Sequence, residues 1–443
     1  MAVSFLRDII AGALVLGILV LAHEWGHFVV AKLCGVRVDV FSIGFGTRLW
    51  GVKRGDTDYR VSALPLGGYV RMAGDNPVEE RTGEPHEFLS RPRWQRFLIA
   101  IAGPAMNILV TFLIFCGMYV FAGIPVDAYL HQTADVVAVP LNRTPGTQGV
   151  QPGDRIIQVD GTSTPTWRKV LDQVDKANPG DTVSMVVLRN GAQQTLSLTA
   201  PAKEEPVDSL VGYPFIAPVI DEVSPGSPAS RAGLTPGDTI VSIDGHPVAT
   251  WQRLTDEVRG SEGRAIQFVI QRDGKDVPMV ITPIHTMTLS GDMAWQIGTS
   301  VKSPAVFEHQ GIITSAKEAG VETYLYARLI GTIFTGLFRG RLSVRDLAGP
   351  VGIAQMSGQA AKGGPMTLLN WMAYISLDLG LLNLLPIPIL DGGHVLMLAI
   401  EGTLRRDLSL AFKERFVQVG LVFILGLFAF VMYSDILRVI QTH

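Results

Sequence analysis

The chain is 443 residues long, enough for two to four domains, and 47% of it is apolar while only 17% is charged. Soluble domains carry roughly 25% charged residues, so this composition points to a membrane. A net charge of -3 leaves no basic surplus and excludes nucleic acid as a partner. The two cysteines, Cys34 and Cys116, lie in or beside apolar runs; they exclude a disulfide framework and read as packed thiols.

From the N-terminus, residues 9–33 form the first of four segments with the about 20 predominantly apolar residues that a membrane-crossing helix needs. The segment is too long, and too polar near its end, for a cleaved signal peptide, and is expected to be retained. Residues 36–95 follow. Within them "TRLWGVKRGDTDYRVSALPLGGYVRMAG" turns at 53–58 between β-favouring residues, which predicts a hairpin or small sheet at the membrane surface. Residues 97–123 are the second span.

Next comes an internal repeat. "GVQPGDRIIQVDGTSTPTW" from Gly149 matches "GLTPGDTIVSIDGHPVATW" from Gly233, and "VVLRNG" from Val186 is echoed by "VIQRDG" from Val269. Pro-Gly-Asp and Asp-Gly turns frame a short β-branched strand, then a helical stretch, then a strand and hairpin, as in a compact mostly-β module. The two copies, at 125–205 and 206–290, resemble PDZ domains of the bacterial protease type. The second carries the fuller pattern in "VSPGSPASRAGLTPGD"; the first has the shorter "TPGTQGVQPGD". Such a fold takes peptide ends by adding a strand to a sheet edge; the alternative is a spacer or filter.

In the stretch 291–367, residues 321–338 are apolar but interrupted by Arg328, and an amphipathic helix on the membrane surface is expected. The third span is expected at 369–400, within 368–402, and the fourth at 416–433, after a short loop at 403–415. Lys and Arg concentrate between the first two spans and again in that loop, with Arg405, Arg406, Lys413 and Arg415. Both therefore read as cytoplasmic, and the repeat region as facing the other side; Arg438 dissents mildly. The expected fold is a multi-span α-helical membrane protein with four transmembrane helices, a membrane-associated β-hairpin or sheet, and two tandem mostly-β PDZ-like modules.

The chemistry sits in "LVLAHEWGHFVVAK". His23 and His27, four apart, project from one helix face and can coordinate one metal, with Glu24 beside them. In this H-E-x-x-H arrangement two imidazoles hold zinc and the glutamate serves as general base. Ionisable side chains inside a span cost at least a few kcal/mol each unless compensated, and coordinate bonds to zinc would compensate them. The alternatives are neutral side chains satisfied by neighbouring helices, or a proton or ion path. A catalytic zinc takes three protein ligands. The best third candidate is Asp391 in "LLNLLPIPILDGGH", where Pro386 and Pro388 interrupt backbone hydrogen bonding and Gly392 with Gly393 is expected to loosen the chain. His394 is the rival ligand, and packing its other reading.

"HEWGH", "AGPAMN" (102–107), "NLLPIPILDGG" and the PDZ-like pair, in that set, resemble the site-2 protease family of intramembrane zinc metalloproteases; "FSIGFG" at Phe41, "PLGGYVRM" at Pro65 and "GPVGIA" at Gly349 agree. The resemblance covers nearly the whole chain. It implies one catalytic Zn2+ held by His23, His27 and Asp391, with Glu24 as the catalytic glutamate and Asn383 holding the substrate or its oxyanion. It also implies a β edge at Gly67, Gly68, Tyr69, Val70, Arg71 and Met72 that receives the unwound substrate as an added strand. The implied setting is the bacterial inner membrane, with the PDZ-like modules periplasmic and the active site towards the cytoplasm. The implied substrates are single-span membrane proteins: a trimmed anti-sigma factor, and leftover signal peptides as a second class. Two rivals are a non-catalytic membrane adaptor that binds peptides through the PDZ-like pair, and a zinc or proton transporter, for which four spans are too few.

Overall fold

The computed structural model describes residues 2–75, 83–140, 149–202, 208–224, 226–288, 293–301, 303–340 and 349–441. The chain forms two compact units, one of Met1–Ile124 with His309–His443, the other of Pro125–Glu308.

The first unit begins with α1 (Ala2–Leu33), a long run of apolar helix-compatible residues free of proline. It stops at Gly35, whose φ of +71° suits the left-handed residue after a helix end. There Gly35 N–H bonds Lys32 C=O and Val36 N–H bonds Ala31 C=O, satisfying two terminal carbonyls. β1 (Val38–Arg54) and β2 (Thr57–Met72) follow as a bent antiparallel pair. Residues 38–43 pair on one side with 58–61 and on the other with 68–72, while 48–54 pair with 57–62. Segment 68–72 is thus the edge nearest α1, and the turn falls within the expected 53–58. Phe28 of α1 packs with Phe41 and Tyr59 of the sheet to make the local core.

α2 (Arg93–Phe121) starts immediately after Pro92 and tolerates Pro104 within it. It lies against α1 so closely that a Cβ on Gly26 would stand 2.8 Å from Met106 Cβ. Small residues at such crossings let apolar helices approach within a membrane.

In the second unit, β3 (Ile124–Asp127) pairs with β16 (Ala305–Glu308). The first copy of the repeat contains β4 (Arg155–Val159), β5 (Thr162–Ser163), α3 (Trp167–Val174), β6 (Thr182–Arg189) and β7 (Ala192–Thr199). After the one-turn α4 (Asp208–Val211), the second contains β8 (Ile220–Val223), α5 (Pro228–Arg231), β9 (Thr239–Ile243), β10 (His246–Pro247), α6 (Trp251–Gly260), β11 (Ile266–Arg272) and β12 (Lys275–Ile281). The sheets run β5-β4-β6-β7 and β10-β9-β11-β12, the same order twice.

The repeated letters make repeated bonds. The aspartate of each Pro-Gly-Asp, Asp154 or Asp238, is buried and takes two bonds from Arg189 or Arg272, with Nε–Oδ1 at 2.7 Å in both copies. The same aspartate accepts a turn N–H, from Gln151 or Thr235, at 2.8 Å. Most of "TPGTQGV" lies outside the described residues. β13 (Ile284–Met287), β14 (Met293–Gln296) and β15 (Thr299–Val301) complete the unit, and β15 pairs with β8. Strands thus occupy the start of a stretch expected to be an amphipathic segment from 291 onward.

The chain then returns to the first unit. α7 (Ile312–Phe338) is longer than its sequence expectation; Ser315 and Ala319 are buried while Ile313 and Tyr324 are exposed. α8 (Pro350–Lys362) is capped by a side chain from far along the chain, as Asp435 accepts the N–H groups of Gly349 and Gly352, both at 3.1 Å. α9 (Pro365–Asn383), α10 (Asp391–Leu404) and α11 (Leu410–Gln441) finish the fold. The expected third span is therefore two helices, interrupted at 384–390. Pro386 and Pro388 supply no N–H there, and Ile389 takes a φ of +84°, uncommon for a β-branched residue.

Among the described residues three helices are long and apolar enough to cross a membrane, at Leu6–Leu33, Arg93–Phe121 and Ala411–Asp435. Their exposed faces are apolar: Val419 and Val422 are about 70% exposed, at 69% and 72%. Only lipid makes such a surface stable, and the chain is a membrane protein built of helices and sheets. The start of α2 and the loop before α11 meet, with Arg93 Nη2 2.9 Å from Asp407 Oδ1, so the two cation-rich loops share one end of the unit.

Candidate metal centre

On α1, His23 and His27 are one turn apart, and their Nε2 atoms lie 3.2 Å from each other. Asp391, the first residue of α10, brings Oδ2 to 2.9 Å from His23 Nε2 and 3.4 Å from His27 Nε2. Together these form a potential ligand set whose atoms fall within 4.8 Å of one another. His27 Nδ1 lies 2.7 Å from the Ile99 carbonyl of α2, to which it donates. That bond assigns the proton to Nδ1 and leaves Nε2 as an acceptor.

The arrangement fits a cation. The lone pair of His27 Nε2 points at a second imidazole nitrogen and a carboxylate oxygen, three acceptors converging with one proton at most between them. A tetrahedral zinc with bonds of about 2.0–2.2 Å separates its ligand atoms by roughly 3.3–3.5 Å. Of the three separations here, the one of 3.4 Å falls in that range, the one of 3.2 Å lies just below it, and the one of 2.9 Å is a few tenths of an ångström tighter.

Two devices that the sequence reading did not find hold the set. A Cβ on Gly103 of α2 would stand 2.6 Å from His23 Nε2 and closer still to His27 Nε2, so only glycine lets α2 pass behind the imidazoles. Gly392 and Gly393 do not loosen the chain as expected; both are buried in the first turn of α10. A Cβ on Gly393 would lie 3.0 Å from Pro388 Cα, and one on Gly392 would strike the carbonyls of Leu384 and Leu385. They let the broken segment fold back over the helix start that carries Asp391, and a helix N-terminus favours a carboxylate.

Glu24 opens onto the same cavity, of about 450 Å³, which Val70, Asn107, Asn383, Ile389 and His394 also line. Glu24 Oε2 accepts the N–H of Val70 at 3.0 Å, joining α1 to the sheet edge. Met72 N–H bonds Asp75 at 2.9 Å, so two edge donors of segment 68–72 face carboxylates. Val70 and Met72 reach the cavity; on the alternate face, Tyr69 stacks on Phe45 at 6.0 Å and Arg71 is exposed. Gly67 and Gly68 are used against neighbours already present: a Cβ would lie 3.0 Å from Val20 of α1 at Gly67 and 2.6 Å from the Ser42 carbonyl at Gly68. His394 lines the cavity, outside the ligand set.

Two imidazoles and a carboxylate converge beside a glutamate, inside helices that only lipid can surround. That combination defines a membrane-embedded metallohydrolase. The model of peptidase family M50 matches residues 11–427. The regulator of sigma-E protease RseP of Salmonella typhimurium is 34% identical over 98% of this chain and 99% of its own length, and that of Escherichia coli 33% over the same shares. A relative from Neisseria meningitidis, 30% identical over 96% of this chain and 97% of its own, carries a name with the words zinc metalloprotease. The chain belongs to peptidase family M50. It is a site-2 type zinc metalloprotease, fitted to regulated intramembrane proteolysis.

Proposed function

We propose that His23, His27 and Asp391 hold one Zn2+, that Glu24 is the general base, and that the chain cuts single-span membrane proteins within or next to their spans. The observation that carries this reading is the convergence of Nε2, Nε2 and Oδ2 beside Glu24 on one cavity. Zinc, when bound, lowers the pKa of a water and polarises the scissile carbonyl. The protein's own groups do the rest. Val70 N–H holds Glu24 by Oε2, which leaves Oε1 to take a proton from the attacking water and return it to the leaving amine. Asn383, at the end of α9, steadies the substrate carbonyl or its oxyanion.

A helical substrate hides its carbonyls in its own hydrogen bonds and must unwind to be cut. The edge at 67–72 would take the unwound stretch as an added strand, contributing its carbonyls while carboxylates occupy the Val70 and Met72 donors. α9 and α10 together make the third of four crossings; a broken helix is tolerated at membrane depth where it lines a cavity. The paired repeats of the second unit are PDZ-like modules on the periplasmic side of an inner membrane, with the active site towards the cytoplasm. They filter out substrates that still carry bulky domains. The regulator of sigma-E function named for the relatives favours a trimmed anti-sigma factor as substrate, with leftover signal peptides as a second class.

The test is Glu24→Gln in the purified full chain. It should keep its zinc and lose at least about 100-fold in cleavage of a single-span substrate in detergent, the size of a general-base contribution; undiminished cleavage would remove Glu24 from this role.

A further inference from the structure

The motif "AGPAMN" ends in a residue that the chemistry above does not use. Asn107 is fully buried on α2, in the wall of the same cavity as Glu24 and the ligand set. Both atoms of its carboxamide, Oδ1 and Nδ2, lack a partner among the described residues. Buried side-chain amides are paired in the large majority of cases, and an exception calls for a reason.

Helix packing is not the reason. The α2–α9 crossing is joined through the backbone: Ser376 Oγ donates to the Asn107 carbonyl at 2.9 Å, and Thr111 Oγ1 reaches the Asn107 and Ala373 carbonyls, both at 3.0 Å. Gly380 lets the helices close, as a Cβ there would lie 3.0 Å from Pro104 O and 3.3 Å from Asn107 Cβ. None of this employs the carboxamide. Its position follows from spacing: Asn107 is four residues beyond Gly103, which abuts both imidazoles, and so shares that face of α2.

A carboxamide offers one donor side and one acceptor side, the complement of a single peptide unit. A substrate unwound within a membrane cavity has peptide units with no helical partners and no bulk water to replace them. We propose that Asn107 is a substrate-binding residue whose Oδ1 and Nδ2–H pair with one peptide unit of the unwound substrate beside the scissile bond. This rests on the proteolytic reading above.

The test uses the full chain in detergent and a synthetic single-span peptide, with individual peptide bonds flanking the cleaved one replaced by esters, which removes one N–H at a time. In the wild type, one ester position should lower kcat/KM about tenfold. Asn107→Leu should lower kcat/KM for the all-amide peptide by a similar factor, keep its zinc, and be insensitive to that ester, the non-additivity of a direct contact. Asn107→Ala gives the same cycle if the leucine variant does not accumulate folded. Wild-type rates in both variants, or an equal loss with amide and every ester peptide as for a packing or ordered-water role, overturn the inference alone. A wild type that cleaves no peptide overturns the proteolytic reading with it.

Discussion

Gly103 shapes the proposed metal centre by having no side chain. It lies behind both imidazoles, where any Cβ would push them out of register with Asp391. Gly103→Ala should therefore lower zinc affinity about 10–100-fold, the usual cost of disturbing the groups that orient ligands. Gly117→Ala, on the same helix with nothing within 4 Å of its Cβ among the described residues, should leave zinc unchanged; metal titration of the two purified variants compares them directly. Equal affinities would show that the imidazoles can shift. His23, Glu24 and His27 were legible in the sequence because a spacing of four fixes a shared helix face, and Asp391 stood out as a carboxylate in an apolar region. Gly103 and the Ile99 carbonyl were not legible. Their roles depend on how closely α2 approaches α1, which no spacing within one helix encodes.

At the scale of elements, the sheet edge is tied to Glu24, the proposed general base, by the backbone N–H of Val70. Val70→Pro removes that donor and leaves the three proposed ligands untouched. Zinc should be retained while cleavage falls roughly 10- to 100-fold, as expected when a reacting group loses its orientation; wild-type turnover would mean that Glu24 needs no such tether. The sequence placed the turn and the β character correctly. It missed the bend by which 38–43 pairs on both sides, because that register depends on residues far apart in the chain.

In the second unit the Arg272–Asp238 pair can be followed through pH. Burial pushes the Asp238 carboxyl up, but the Arg272 guanidinium and the Thr235 N–H outweigh it, and the carboxyl lies below its ordinary value. A depressed folded pKa stabilises above the unfolded value of about 3.9 and is lost as pH falls through the lower folded one. Hydrogen-exchange protection of β9 and β11 should thus hold at pH 5 and decline below about pH 4. Arg272→Met should reduce protection already at pH 7 and flatten this dependence. An unchanged acid profile in that variant would locate the titration elsewhere.

For the whole molecule, the sequence read the apolar spans by length and composition, and the structure has long apolar helices in three of the four places. The third place differs because two prolines and a positive φ at Ile389 divide it into α9 and α10, and this break sets Asp391 at a helix start beside the histidines. The contribution of β15 to the second unit, beyond residue 290, was hidden because a three-residue strand carries too little pattern to reveal a partner as distant as β8. Membership of family M50 makes the chain an enzyme rather than an adaptor, and what remains decisive is whether the two ends of the chain meet around one ion. The measurement is zinc per chain in the purified wild type and in Asp391→Ala, under identical detergent conditions. One zinc per chain in the wild type and less than about a tenth of that in the variant is expected, since a site left with two ligands falls short of the usual three; equal zinc in both would contradict the centre described above.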